Sequence, residues 1–241
     1  MREKTEIIPF IHNYCDRWCE RCDFTSRCHA FELEQQQINA EIEIDEEAFW
    51  QNLMGMFSEA KYLLNEKADE LGIDLNAIND PDFFERQKQF DEVISNENLT
   101  KLSEKYGQDT RVILGAKDDW LIFSPLDEPE NLEMLSIIYW YQNFIFIKMQ
   151  RGLVGILDLN GKVDLEELND TQSDANGSVK VGLIAIERSI NAWKNLLAKE
   201  NEAQINPILN LLENIKKTAE TKFPKAKDFI RPGFDEVEVV M

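Results

Sequence analysis

Ile137 to Ile147 reads IIYWYQNFIFI, apolar at every position except Gln142 and Asn143. Pro129 opens this stretch as a helix, since proline suits the first helical turn. A helix that is apolar all round is buried on most sides, so this one is read as the core of a helical body. It is too short to span a bilayer, and Lys148 and Arg151 follow directly. Gln142 and Asn143 are either ligand contacts or, on the plainer reading, satisfy each other or a backbone group.

The helical pattern extends in both directions from this core. Upstream, Asp45 reads as an N-cap with Glu46 and Glu47 in the first turn, facing the helix dipole. From there a stripe through Phe49, Leu53, Met56, Phe57, Ala60, Leu63, Leu64, Ala68 and Leu71 predicts one long helix, ended by Gly72. Ile38 to Asp45 alternates briefly and is expected to be extended. Asn79-Asp80-Pro81 starts a further helix, with helical stretches near 81–95 and 97–118 and a break at Phe123-Ser124-Pro125. Downstream, Gly152 to Asp174 is a connector. Within it, Asp158, Asn160, Asp164 and Glu167 fall on calcium-loop positions when Gly161 is aligned with the obligatory glycine, but Ile156 then stands where the first carboxylate should be. The expectation is therefore a turn leading into a short helix. Asp174 to Ser178 starts another helix, whose Val179, Leu183, Ile186, Ile190, Trp193 and Leu197 step by four and three residues and so pack closely. Lys180 and Glu187 lie on its flank, either as an acid–base pair or, preferably, as two separate groove or surface residues. Ile205 to Ala219 forms the last helix.

Composition narrows the class. The 241 residues are 43% apolar, enough for a core, and only 10 glycines and 7 prolines argue against a turn-rich β architecture. Acidic residues number 46 against 26 basic, a net charge of −20. Such a surface repels phosphates, so neither nucleic acid nor an acidic lipid surface is an expected partner; a protein partner is left open. With only two histidines, His12 and His29, a carboxylate bundle built on Glu-x-x-His cannot form in its usual version. No phosphate-binding or dinucleotide-binding glycine motif occurs.

The chemistry concentrates in HNYCDRWCERCDFTSRCHAF, His12 to Phe31. It holds every cysteine of the chain, Cys15, Cys19, Cys22 and Cys28, in the pattern C-x3-C-x2-C-x5-C. Met1 to Asn13 lacks the long apolar run of a secretory signal, which points to a cytoplasmic, reducing setting, where such a cluster binds metal rather than forming disulfides. Four thiolates suit tetrahedral zinc or an iron–sulfur cubane. On a helix, Cys15, Cys19 and Cys22 would share one face, with Cys15 and Cys22 roughly 10 Å apart along the axis. Zinc would have to draw those sulfurs within roughly 4 Å, so a helical segment favours the larger [4Fe-4S] cluster. Arg17, Arg21 and Arg27 either offset the charge of the centre or are solvated. His12 and His29 either replace a cysteine ligand or, on the preferred reading, are neighbours, because four cysteines already complete a set.

The C-x2-C-x5-C part, Cys19, Cys22 and Cys28, resembles the last three ligands of the [4Fe-4S] loop in DNA glycosylases of the endonuclease III type. Their first spacing is C-x6-C, where this chain has C-x3-C between Cys15 and Cys19. The resemblance implies a cluster, not a glycosylase. The C-x3-C-x2-C part resembles the radical S-adenosylmethionine signature, but Arg21 stands where that pattern has an aromatic residue. Taken whole, IHNYCDRWCERCDFTSRC is similar to the N-terminus of a group of uncharacterised bacterial proteins, a likeness that implies no activity.

The sequence thus predicts an all-α, multi-helix bundle with an N-terminal cysteine-rich metal-binding module. Residues 1–44 form the module, 45–223 the helical domain and 224–241 an irregular acidic tail. The leading expectation is an iron–sulfur protein for electron transfer or redox sensing. The alternatives are a structural zinc module on a helical protein-interaction domain, or an enzyme with its pocket in the bundle against Ile137–Ile147 and the metal only structural.

Overall fold

The computed structural model describes residues 6–41, 46–72, 74–75, 81–115, 129–197 and 202–235. Among them every regular element is helical, apart from one isolated bridge between Leu157 and Val163. The α-helices are α1 (His29–Glu41), α2 (Glu46–Leu71), α3 (Pro81–Asn96), α4 (Asn98–Gly115), α5 (Pro129–Ile156), α6 (Leu165–Asn169), α7 (Asp174–Leu197) and α8 (Glu202–Lys222). The all-α expectation holds. The chain forms two compact units, one of Met1–His12 with Arg17–Gln89, the other of Asn13–Asp16 with Phe90–Met241.

The second unit is a bundle in which α5 lies along α7 and α4, while α8 closes against α4 and α7. Ile138, Tyr141, Ile145, Met149, Leu153 and Ile156 of α5 are all buried. Their spacing of three and four residues is one face of a helix. Val179, Ile186 and Trp193 of α7, Leu99 and Tyr106 of α4, and Ile208, Leu212 and Ile215 of α8 are buried as well. Close approach of α5 and α7 rests on small residues: a Cβ on Gly155 would stand 2.9 Å from the Cβ of Ala175. The indole of Trp193 donates to the Tyr106 hydroxyl at 3.3 Å. Burial pushes the Tyr106 phenol above its ordinary value, only partly offset by the neighbouring polar side chains of Ser189, Trp193 and Thr110.

Several expectations change. The stretch Ile137–Ile147 is not covered all round, since Tyr139, Asn143 and Ile147 are exposed. They recur every four residues, so α5 keeps one bare stripe. Ile38 to Glu41 is helical, the end of α1, rather than extended; Glu32 and the three glutamines after it suit a helix better than a strand. Asp45, Asn79, Asp80 and the break at Phe123–Pro125 lie outside the described residues. Residues 224–235 are turns and one short 3-10 helix, and within them Ala226 and Phe229 are buried, with Phe229 packed on Tyr14 at a ring-centroid distance of 4.6 Å. The apolar stripe of α2 is largely bare.

The connector between α5 and α7 is the expected turn and short helix. Gly161 takes φ 72, the left-handed region that glycine adopts freely. The Asp158 carboxylate accepts the amides of Asn160 and Lys162, both at 2.8 Å. Asp164 caps α6 by accepting from Glu166 and Glu167. Both carboxylates are engaged with backbone, and among the described residues no calcium-type cluster forms.

Candidate metal centre

Between Ile11 and Arg27 the backbone is a series of single 3-10 turns, Ile11–Asn13, Cys19–Arg21 and Thr25–Arg27. Cys15, Cys19 and Cys22 therefore do not share one α-helical face, and the axial separation that favoured a cubane over zinc loses its premise. Arg17 has φ 59, a conformation costly for a side-chain-bearing residue and incompatible with a continuous right-handed helix. Cys19 opens one turn and Cys22 ends it, with the Cys22 amide bonded to the Cys19 carbonyl at 3.2 Å. Cys28 ends the next turn on the carbonyl of Thr25. All four cysteines are half-buried. The Phe24 amide donates to Cys22 Sγ at 3.4 Å.

The neighbouring cations have other duties. The guanidinium of Arg21 stacks over the Trp18 ring at 3.7 Å. Arg27 Nε donates to the Glu6 carbonyl at 3.0 Å, and the Arg27 carbonyl accepts the Ile8 amide. These bonds pin the N-terminal strip to the last turn of the cysteine segment, with Ile8 and Ile11 buried. His12 is held below the ordinary imidazole value by burial first, then by the charges of Arg17 and His29. His29 begins α1 and stands 3.6 Å from Glu32.

Cys15 belongs to the second unit, Cys19, Cys22 and Cys28 to the first. Its flanks are fixed with unusual thoroughness. The Asp16 carboxylate accepts from the Tyr141 hydroxyl and from Arg188 Nη1, both at 2.6 Å, while the Asp16 carbonyl accepts from Trp140 Nε1 at 3.0 Å. Lys148 Nζ donates to the Asn13 carbonyl at 3.3 Å. The Tyr14 hydroxyl donates to Asp174, which is also held by two bonds from Arg151. Burial raises the Tyr141 phenol well above its ordinary value, reinforced by the bond to Asp16 and its charge. For Arg188, burial opposes the charge, but Tyr141 and Asp16 outweigh it and strengthen the cation. Sequence reading missed this anchor. The signal was present in Trp140 and Tyr141, polar-tipped rings in an apolar run, which seek a partner when buried.

Other singled-out residues take structural roles. Lys180 Nζ donates to the Lys227 carbonyl at 2.7 Å, and Glu187 pairs with Lys216 at 3.0 Å, so they are two separate residues. Gln142 is buried and Asn143 exposed.

Among the described residues no three His, Cys, Asp or Glu side chains stand as a group able to hold a metal ion. No helix among the described residues is long and apolar enough to cross a membrane. No protein-family model, curated protein or solved structure matches the chain.

Proposed function

We propose that Cys15, Cys19, Cys22 and Cys28 share one metal centre, and that an iron–sulfur cluster in it serves electron transfer or redox sensing. The observation that supports this most is the concentration of every cysteine of the chain into 14 residues, all half-buried, with an amide donated to Cys22 Sγ. Metal binding and local folding are coupled in short cysteine segments, so the ligands come together on the ion rather than before it. The chain's own contribution is to hold Asn13–Asp16 on α5 and α7 and to present Cys19 and Cys22 from one tight turn.

The second reading is a structural zinc ion supporting a protein-interaction domain. The 3-10 turn favours it, because a rise of about 2.0 Å per residue over the three steps from Cys19 to Cys22 leaves a gap that zinc closes with little strain. Anaerobic purification decides between the two. A brown protein with broad visible absorbance, iron and acid-labile sulfide supports the cluster. A colourless protein with one zinc per chain supports the second reading, and a protein without either metal overturns both.

A further inference from the structure

The helix α2 carries an apolar face that no metal reading explains. Trp50, Phe57, Leu64 and Leu71 recur at every seventh residue, and Phe49, Met56 and Leu63 directly precede the first three. All seven are exposed, Trp50 by 55% and Phe57 by 63%. Aromatic side chains carry about 150–250 Å² each, so this one helix leaves on the order of 800 Å² of apolar surface bare. The largest patch on a monomer is about 300–600 Å², whereas a specific dimer buries about 800 Å² per partner.

We propose that α2 is a self-association surface and that its occupant is the α2 of a second copy of this chain, running antiparallel. The spacing of seven is that of a two-helix seam, in which Leu53, Ala60 and Lys67 supply the second row. Antiparallel pairing sets Phe57 against the small Ala60 of the other copy, and Leu53 against its Leu64. It also sets Lys67 over the partner copy's Trp50, a favourable cation–ring contact. Parallel pairing would instead oppose Phe57 to Phe57, leave a void between two Ala60 residues and bury Lys67 against Lys67. Large–small matching and the placement of charge therefore select one orientation. The surface goes beyond the metal reading and stands without it.

The test uses the full chain. Sedimentation at micromolar concentration is expected to give twice the chain mass of 28.1 kDa. Added salt is expected to tighten the dimer, because it screens repulsion between two chains of net charge −20. Phe57→Glu with Leu64→Glu is expected to weaken dimerisation by roughly 100-fold or more, with an unchanged circular dichroism spectrum because both sites are exposed. A photo-reactive residue at position 50, in mixed isotope-labelled chains, is expected to cross-link to the other copy around Lys67. A monomeric wild type, a dimer untouched by the double variant, loosening by salt, or a cross-link from position 50 to position 50 each overturns the proposal.

Discussion

The helices α2 and α5 are of similar length, 26 and 28 residues, and both are rich in large apolar side chains, yet the described structure treats them differently. Helix α5 sinks one face into a core shared with α4 and α7, and leaves bare only the stripe through Tyr139, Asn143 and Ile147. Helix α2 has Ala68 buried, while Trp50, Met54, Phe57 and Leu64 stay exposed. Periodicity marks a face able to be buried. What covers it depends on neighbours distant in sequence, and for α5 these are supplied by small residues such as Ala175 that let α7 approach.

Truncation should separate the two helices most strongly. Leu153→Ala removes a fully buried side chain and is expected to destabilise by about 2–5 kcal/mol. Tyr62→Ala, at an exposed site of α2 outside the proposed seam, is expected to stay within about 0.5 kcal/mol. Urea denaturation of the two variants checks the contrast, and equal losses would break it.

Glycines sharpen the comparison at a smaller scale. A Cβ on Gly177 would lie 2.5 Å from a Tyr14 ring carbon and 2.7 Å from Phe229. Gly177→Ala is expected to cost about 1–3 kcal/mol through overpacking. Around Gly55 of α2 nothing lies within 4 Å, so Gly55→Ala is expected to stabilise by about 0.5–1 kcal/mol through helix propensity. Thermal melts of both variants should move in opposite directions.

The anchor beside Cys15 comes next. Asp16→Ala removes the acceptor of Tyr141 and Arg188 and is expected to cost about 1–2 kcal/mol. Amide exchange should accelerate at Asn13–Asp16 by roughly tenfold, while the amides of α7 keep their protection. Uniform acceleration would mean that the anchor is part of the global fold instead.

The smallest expected effect is alkaline. Folding holds the proton on Tyr106 above its ordinary value of 10.0, so the folded state binds more protons than the unfolded state above that pH. The stabilisation is complete below pH 10.0 and is lost as pH rises past it. Tyr106→Phe should flatten the alkaline decline in stability, and an unchanged slope would contradict the assignment.

Much of the helical layout was legible in the residues. Pro129 and Gly72 mark ends that the structure keeps, and Asp158–Glu167 forms the expected turn and short helix. The shape of the cysteine segment was not legible. Spacings of four and three suit an α-helix, but the left-handed Arg17 interrupts it, and no residue preference announces that conformation for an arginine. The Asp16–Tyr141–Arg188 anchor was hidden for a different reason. Its members are separated by more than a hundred residues and by forty-seven, and only the packing of α5 on α7 brings the last two together.

The central claim is that four thiols serve one metal centre. Iron, sulfide and zinc should be measured per chain after anaerobic purification of the wild type and of four single variants, Cys15→Ser, Cys19→Ser, Cys22→Ser and Cys28→Ser. The expected result is a stoichiometric centre in the wild type and a sharp loss of metal in every variant, Cys15→Ser included. Full occupancy in three of the four variants, or no metal in the wild type, would contradict it.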